Sequence, residues 1–471
     1  MIKAKENYIL LLAIIAFIIG KIFLLHTYFF WDSTQALSVP ATYLYDNNFS
    51  NFNYPNGVAD PPLIHSILAL SWKIFGRNLV TSHITLGLFS IGSLYQVFLF
   101  CKKNASIYAT AAFLFLLIIL DAAFLTQTSL LFPDVFLFFF TFLSINLYQK
   151  NNRLFLSLSL MCLSLCSLRA FAICGAVGLA IFFYELHIDR NNAPSQVLKR
   201  SVLPFLSSIV VIVIFFVAKK MTTGSFFIQN NSMWKGSWEL VDAKQFLGNL
   251  KGVIRFMLDN GTIVIWTALI FLWFNLKDKK KFLNDNRFVI YLFATTLFVM
   301  CLLTLPFTNS FGKRYFILPC IFLNFLTGKM AFEALKRKTA IAICLLMIAG
   351  MISSHFWKYP DRFSKPWDCS LGHLPYYKLR QQAIDYVKQN NIDPASMSFF
   401  FPGSQKGKYI ELNDSEMSFA EFDLSQNTYA TCSNISNRDI ALTNEIINHW
   451  QLVKIFSSCG IYISIYKNPA K

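Results

Sequence analysis

The sequence predicts an all-α polytopic membrane domain of about eleven transmembrane helices, followed by a small soluble α/β domain. Two observations support this prediction. Hydrophobic residues make up 55% of the 471 residues and charged residues only 14%, a balance typical of a chain whose main solvent is lipid. The apolar residues also fall into runs long enough to cross a bilayer core of about 30 Å, and basic residues lie between these runs.

Eleven apolar runs are the candidate membrane-spanning helices. They lie near residues 8–25, 80–100, 105–121, 132–149, 154–168, 170–186, 202–218, 261–276, 288–306, 315–331 and 339–356. The fifth and sixth runs are short, and we expect them to form a tight hairpin with Arg169 at its outer turn. No small-residue cleavage site follows the first run, so we expect it to be a retained anchor.

Basic residues predict the orientation of these spans. Clusters of Lys and Arg at 102–103, 150–153, 199–200, 277–281 and 336–338 fall on alternate loops, on the same side as the N-terminus. Because cytoplasmic loops are enriched in Lys and Arg, we expect the N-terminus inside and the C-terminal segment outside. A nucleic-acid binder would instead concentrate the formal charge of +17 on one soluble face.

Two domains follow from this distribution. Residues 1–356 are the predicted membrane domain, in which 26–79 form a long first outer loop. Within that loop Leu63–Phe75 has the pattern of a juxtamembrane helix lying along the interface. Residues 357–471 are the predicted extracytoplasmic α/β domain.

The C-terminal domain has patterns of both regular structures. Tyr377–Gln389 predicts an amphipathic helix, whereas Met397–Phe401 and Ile461–Tyr466 predict strands. Three of the ten cysteines of the chain lie in this domain, namely Cys369, Cys432 and Cys459. An oxidising compartment would allow one disulfide among them, and the sequence leaves this open.

Ionisable residues gather at the predicted outer ends of the spans and in the outer loops. They are Asp32, Asp60, Asp121, Asp134, Arg169, Lys313 and Arg314. No charge lies clearly at mid-membrane, where an ion-coupled transporter would more often bury a carboxylate. We therefore expect a functional site at the outer face.

Each of the main candidates has a structural and a chemical interpretation. Asp32 follows an aromatic belt and is either a helix cap or a general base. Asp134 begins a span, where an acid complements the helix dipole whether or not it contacts substrate. Lys313 and Arg314 lie at an outer helix start and either anchor headgroups or hold an anion such as a lipid phosphate. Arg169 has the same two interpretations, and its planar fork suits phosphate.

Short motifs occur in a fixed order along residues 1–330. An acid follows the first span (Asp32), a Pro-Pro-Leu segment opens the juxtamembrane helix (Ala59-Asp60-Pro61-Pro62-Leu63), a second acid opens the fourth span (Pro133-Asp134), and Arg314-Tyr315 precedes Leu318-Pro319. In this order the chain resembles the membrane glycosyltransferases of the GT-C superfamily, in particular the protein O-mannosyltransferases and the lipid A aminoarabinose transferases. Many relatives have Asp-Glu where this chain has Asp32-Ser33, and His where it has Asp60.

The resemblance implies an inverting glycosyltransferase that takes a hexose or pentose from a polyprenyl-phosphate carrier. It implies Asp32 as the catalytic base, Arg314, Lys313 and Arg169 as ligands of the donor phosphate, and Asp134 and Asp60 as groups that orient the acceptor or bind a metal. It gives no certain cofactor, and a divalent metal stays open. The implied partners are the lipid-linked sugar donor, membrane lipids and an acceptor that is a lipid, a glycan or a protein.

The resemblance also implies a multi-pass protein of a bacterial inner membrane, with its active site on the extracytoplasmic side. Two other classes of protein remain open from the sequence. A lipid or sugar transporter or flippase would have a similar number of spans, but we see neither internal repeats nor mid-membrane charges. A polymerase or ligase of surface polysaccharides would use the same kind of donor. Nucleic acid is not an expected partner.

Overall fold

The structure is a computed structural model of the whole chain. It describes residues 7–54, 60–105, 107–188, 197, 201–226, 235–308, 311–359, 365–401, 403–413, 415–436 and 440–471. Most of these residues are helical, as the sequence predicts, and a small sheet lies near the C-terminus.

A helix lies at each of the eleven predicted apolar runs. The described helices in chain order are α1 (Tyr8–Leu24), a π-helix (Thr34–Ser38), α2 (Val39–Asp46), α3 (Leu63–Phe75), α4 (Leu79–Asn104), α5 (Tyr108–Ile119), α6 (Ala122–Ser129), α7 (Asp134–Gln149), α8 (Arg153–Ser164), α9 (Leu168–Ile188), α10 (Leu203–Thr223), α11 (Ala243–Leu258), α12 (Thr262–Asn275), α13 (Lys279–Asp285), α14 (Arg287–Thr304), α15 (Ile317–Ala334), α16 (Arg337–Ser353), α17 (Pro375–Gln389), α18 (Gly407–Ile410) and α19 (Ile440–His449).

Within the described residues, six helices are long and apolar enough to cross a membrane by themselves. Two bent pairs raise this number to eight when each pair counts as one span: α5 with α6, bent by 69°, and α11 with α12, bent by 79°. The chain is thus a multi-pass membrane protein. The count of eleven crossings and the orientation of the N-terminus stay predictions.

The helices at the periphery of the bundle have exposed apolar faces. On α1, Leu12 and Phe23 are exposed by 62% and 82%, and on α10 Ile214 is exposed by 61%. Apolar side chains of this size at such exposure are stable in lipid and costly in water. The exposed faces of these helices therefore fit a bilayer.

The centre of the bundle is α15. It packs against α5, α12, α14 and α16, and nearly all of its residues are buried. The packing against α5 is close, because a methyl group added at Gly328 would lie 2.6 Å from the Leu117 side chain. α15 is therefore held in position by neighbouring helices.

The predicted first outer loop contains a helix, α3, with the bounds predicted for the juxtamembrane helix. One face of α3 is buried through Trp72, whose indole donates a hydrogen bond to the Ser82 hydroxyl of α4 at 2.9 Å. The other face leaves Leu70, Ile74 and Phe75 exposed. This amphipathic division fits a helix at a membrane surface.

The C-terminal part of the chain forms a four-stranded sheet covered by α17. Its strands are β1 (Met397–Ser398), β2 (Tyr429–Ser433), β3 (Gln451–Ser458) and β4 (Ile461–Lys467), in the order β1-β2-β4-β3. The β1–β2 pair is parallel, and the other two pairs are antiparallel, with Ala430 opposite Tyr466 and Ile455 opposite Ser464.

The predicted helix and two predicted strands of this domain correspond to α17, β1 and β4, although β1 is only two residues long. β2, β3 and α19 were not predicted. All ten cysteines are free thiols in the structure, including the three that the sequence left open for a disulfide.

One hydrophobic cluster joins this domain to the membrane part. Tyr28 and Phe30 of the first outer loop and Phe132, just before α7, pack in the same buried cluster as Tyr376 and Leu379 of α17. Burial of such side chains contributes roughly 1.5–3 kcal/mol each. The domain is therefore held on the end of the bundle where the predicted site residues lie.

Candidate active site

Asp32 and Arg314 form an ion pair across 282 positions of sequence. Arg314 lies in a 3-10 turn (Lys313–Phe316) that leads into α15, and its Nη2 donates to Asp32 Oδ2. The side chains are 14% and 30% exposed. The preceding residue, Trp31, has a φ of 51°, a left-handed conformation that costs a bulky residue about 1–3 kcal/mol. This turn in the backbone places Asp32 at the start of the next helix.

A second carboxylate, Asp368, lies beside the same guanidinium. Its Oδ2 is 3.7 Å from Arg314 Nε, and its side chain is 21% exposed. Burial raises the pKa of the Asp368 carboxyl above its usual value, the Arg314 charge opposes this shift, and the nearby Asp32 charge adds to it. The candidate site therefore contains two carboxylates on one cation.

The Asp368 backbone is anchored from two helices of the membrane part. It belongs to a short 3-10 turn (Trp367–Cys369). The Gln127 amide of α6 donates to the main-chain carbonyl of Asp368 at 2.7 Å, and the Asn260 amide, between α11 and α12, donates to the Cys369 carbonyl at 2.7 Å. The turn thus belongs to the wall of the candidate site.

A second ion pair lies next to the first. Arg169, in the first turn of α9, donates from Nη2 to Asp134 Oδ1 in the first turn of α7. The Tyr315 ring contacts both guanidinium groups, with its centroid 5.0 Å from Arg169 Cζ and 5.7 Å from Arg314 Cζ. Two cations on one aromatic ring make a setting that attracts an anion.

The ion pair of Arg169 and Asp134 contains polar atoms that make no hydrogen bond to the described residues. Asp134 Oδ2 and Arg169 Nη1 are buried and have no hydrogen-bond partner among the described residues. Buried polar atoms without partners are costly. A small cavity is lined by Asp134, Arg169, Arg314 and Tyr315, with Leu318 on its apolar side. A ligand in this cavity would meet these free groups directly.

Asp60 lies at the edge of the site. Its Oδ1 accepts a hydrogen bond at 3.0 Å from the main-chain N–H of Leu168, the residue before Arg169. An oxygen at this position satisfies one of the free N–H groups of a helix start. Asp60 therefore holds the beginning of α9, and with it the backbone of Arg169.

Lys313 is adjacent in sequence but its side chain points elsewhere. The residue is fully buried. Its ammonium group donates to the carbonyls of Phe256 and Asp259 at 2.7 and 3.3 Å, to the Thr262 hydroxyl at 2.8 Å and to Cys320 Sγ at 3.3 Å. A lipid phosphate would have to displace these acceptors.

The structure thus brings Asp32, Asp134, Arg169 and Arg314 together, with Asp60 supporting them from behind. Sequence reasoning missed Asp368. The one available signal was an acid on the predicted outer side shortly after the last apolar run. Within the described ranges, no group of three or more His, Cys, Asp or Glu residues is placed to hold a metal ion.

No protein-family profile matches the chain, and no curated protein matches it. Two crystal structures do match. ArnT from Cupriavidus metallidurans bound to undecaprenyl phosphate aligns with a TM-score of 0.54 and 10% identity, over 97% of this chain and 97% of that chain. ArnT from the same organism in the apo state aligns with a TM-score of 0.54 and 11% identity, over 98% of each chain. The chain therefore shares, over nearly its whole length, the fold of ArnT.

Proposed function

We propose that this protein is an inverting membrane glycosyltransferase that moves a sugar from a polyprenyl-phosphate carrier to an acceptor on the outer side of the membrane. The observation that carries the proposal is the pair of guanidinium groups, Arg169 and Arg314, on the ring of Tyr315 next to Asp32. The shared fold supports it, because one of the matched ArnT structures is bound to undecaprenyl phosphate.

The donor phosphate binds to the two arginines. A guanidinium group offers several N–H donors in one plane, which suits the oxygens of a phosphate. Arg169 has a buried Nη1 without a partner among the described residues, and the Arg314 guanidinium pairs with the carboxylates of Asp32 and Asp368. Asp134 keeps Arg169 in orientation through its ion pair.

Asp32 is the general base of the transfer. The acceptor hydroxyl attacks the anomeric carbon on the face opposite the phosphate, which inverts the configuration. As the new carbon–oxygen bond forms, the bond from the anomeric carbon to the phosphate oxygen breaks, and the hydroxyl proton passes to the Asp32 carboxylate. The electron pair of the broken bond stays on the lipid phosphate, where Arg314 and Arg169 stabilise the charge.

The remaining site residues have supporting roles. Asp60 fixes the start of α9 behind Arg169. We assign Lys313 to holding the turn between α11 and α12, because its ammonium group is surrounded by protein acceptors. The acceptor binds on the Asp32 side, and its class is a lipid, a glycan or a protein.

The test is transfer of labelled sugar from a panel of polyprenyl-phosphate sugars to acceptors in membranes that contain the protein. Asp32→Asn should abolish transfer from the active donor and leave the protein folded, because the amide keeps the shape of the carboxylate and cannot take the proton. Asp385→Asn is the matched control, since Asp385 is an exposed carboxylate of α17.

Two results would overturn the proposal. Transfer at the wild-type rate by Asp32→Asn would remove Asp32 as the base. No transfer by the wild-type protein from any donor in the panel would remove the lipid-phosphate donor class.

A further inference from the structure

We propose that Asp368 is a positioning residue that occupies Arg314 while the site is empty and releases it by taking up one proton when the donor phosphate binds. This inference rests on the proposed function, because it concerns how the donor reaches Arg314. It also gives the C-terminal domain a role in donor binding.

Geometry distinguishes the two carboxylates on Arg314. Asp32 accepts directly from Nη2, whereas Asp368 stands 3.7 Å from Nε. The Asp368 contact is therefore the weaker one. Phosphate oxygens accept hydrogen bonds from guanidinium N–H groups, and the Nε–H of Arg314 becomes available to the phosphate once Asp368 withdraws.

The net charge of the site favours the uptake of one proton when the donor binds. The five site groups carry three negative charges, from Asp32, Asp134 and Asp368, and two positive charges, from Arg169 and Arg314, a net charge of −1. A glycosyl phosphodiester adds one more negative charge to a site of low exposure. Protonation of one carboxylate restores the original balance, which is the less costly state in a poorly solvated site.

Asp368 is the carboxylate that takes this proton most easily. Asp134 is 4% exposed and forms its ion pair with the other arginine. Asp32 keeps its direct contact with Arg314. For Asp368, burial raises the pKa, so protonation costs less than it would for an exposed carboxyl. The charged and titratable groups on the elements packed around it are Arg314, Asp32, Cys369, Arg169, Tyr315, Lys313, Asp121 and His373.

The backbone around Asp368 is fixed, so its side chain is the part that moves. Gln127 and Asn260 hold the turn through two main-chain carbonyls. The next turn is equally confined, because a methyl group added at Gly372 would lie 2.2 Å from the His355 carbonyl oxygen. Withdrawal of Asp368 is thus a rotamer change and needs no movement of the domain.

The exchange is reversed after product release. After transfer the lipid phosphate is a monoester, which carries more negative charge than the diester donor and is held more tightly by the arginines. Once the lipid phosphate has left, the added negative charge is gone, so Asp368 returns its proton to solvent and its carboxylate pairs with Arg314 again. The proton taken up on donor binding is returned at this step, and the acceptor proton leaves separately from Asp32.

The experiment measures the affinity of the detergent-solubilised protein for undecaprenyl methyl phosphate, a lipid phosphodiester whose charge does not change with pH, from about pH 5 to about pH 8. For the wild-type protein we expect affinity to fall as pH rises, approaching tenfold per pH unit when one proton is coupled to binding. In Asp368→Asn this slope should disappear, with affinity at the upper pH no weaker than that of the wild type. Asp368→Glu should restore the slope, and Asp385→Asn should keep it.

The outcomes separate this inference from the proposed function. A slope retained in Asp368→Asn, or an affinity lowered equally at every pH, overturns the role of Asp368 while donor binding stands. Failure of the wild-type protein to bind the probe at any pH overturns the donor class and the role of Asp368 with it. A size-exclusion profile matching the wild type establishes that each variant is folded.

Discussion

The imidazole ring of His373 stacks on the phenyl ring of Phe30, with centroids 4.3 Å apart and ring planes 5° from parallel. Phe30 lies two residues before Asp32, and His373 follows the turn that contains Asp368. The ring nitrogen Nδ1 of His373 lies 2.6 Å from the Ser370 carbonyl oxygen. This stack therefore joins the two segments that bring carboxylates to Arg314.

His373 makes the fold sensitive to acid. Burial lowers its pKa to about 4 in the folded protein, whereas an unfolded histidine has a pKa of about 6.5. The unfolded chain binds the proton more readily, so stability falls as pH falls from about 6.5 towards 4, by up to about 3 kcal/mol. His373→Phe keeps the stack and should reduce this slope in thermal unfolding followed at several pH values.

The control for this prediction is His449→Phe, because His449 is exposed at the end of α19. The dependence of stability on pH in His449→Phe should match that of the wild type. An unchanged slope in His373→Phe would contradict the assignment of the acid sensitivity to this ring.

The ion pair of Arg169 and Asp134 predicts a strong asymmetry between single and double variants. Asp134→Leu leaves a buried guanidinium without its partner, which costs about 3–5 kcal/mol. The double variant Arg169→Met with Asp134→Leu removes both charges and should regain much of this stability, although it should be inactive. Thermal unfolding of the wild type, both singles and the double forms a complete cycle. Additive effects would show that the pair does not act as a unit.

Lys313 is expected to act on stability and not on the donor. Lys313→Met leaves the carbonyls of Phe256 and Asp259 with fewer donors, at a cost of about 1–3 kcal/mol. The melting temperature should fall, while the affinity of the folded protein for undecaprenyl methyl phosphate should stay at the wild-type value. Lys378→Met, at an exposed position of α17, is the control. A loss of affinity for undecaprenyl methyl phosphate in Lys313→Met alone would show that Lys313 binds the phosphate.

The glycine after the Asp368 turn is expected to tolerate no side chain. An added methyl group at Gly372 meets a main-chain oxygen at 2.2 Å, whereas one at Gly175 in α9 meets no atom within 4 Å. Gly372→Ala should therefore displace the turn, lowering both the melting temperature and the transfer rate. Gly175→Ala should leave both near wild-type values. Equal melting temperatures and transfer rates of the two variants would show that the turn can shift without loss of stability or activity.

The sequence was sufficient for a helix at each apolar run, because these runs are set by local composition; α2, α6, α11 and α13 lie outside the runs and were not predicted. It also singled out Asp32, Arg169 and Arg314 as candidate site residues, since charges near a membrane have few places to lie; their position on the outer face stays a prediction. It could not pair them, because contacts such as Asp32 with Arg314 depend on how distant helices pack.

Asp368 and Lys313 show where sequence reasoning fails. Asp368 lies in a segment without periodicity, and its position in the site depends on hydrogen bonds from Gln127 and Asn260, which are distant in sequence. Lys313 and Arg314 are neighbours with similar chemistry, but in a 3-10 turn successive side chains point in different directions. One is thus enclosed by protein and the other faces the cavity. β2 and β3 were missed because Tyr429–Ser433 and Gln451–Ser458 have weak alternation.

The long separation of the paired residues has a consequence for biosynthesis. Asp32 leaves the ribosome 282 residues before Arg314, and Gln127 leaves it 241 residues before the carbonyl it will hold. Domains generally fold as units as the chain emerges, so the early helices enter the bilayer with their half of the site exposed. A nascent chain stopped after α16 would lack the second carboxylate and the His373 stack. The site of the enzyme we propose would therefore be completed only when the turn that contains Asp368 has joined the earlier helices.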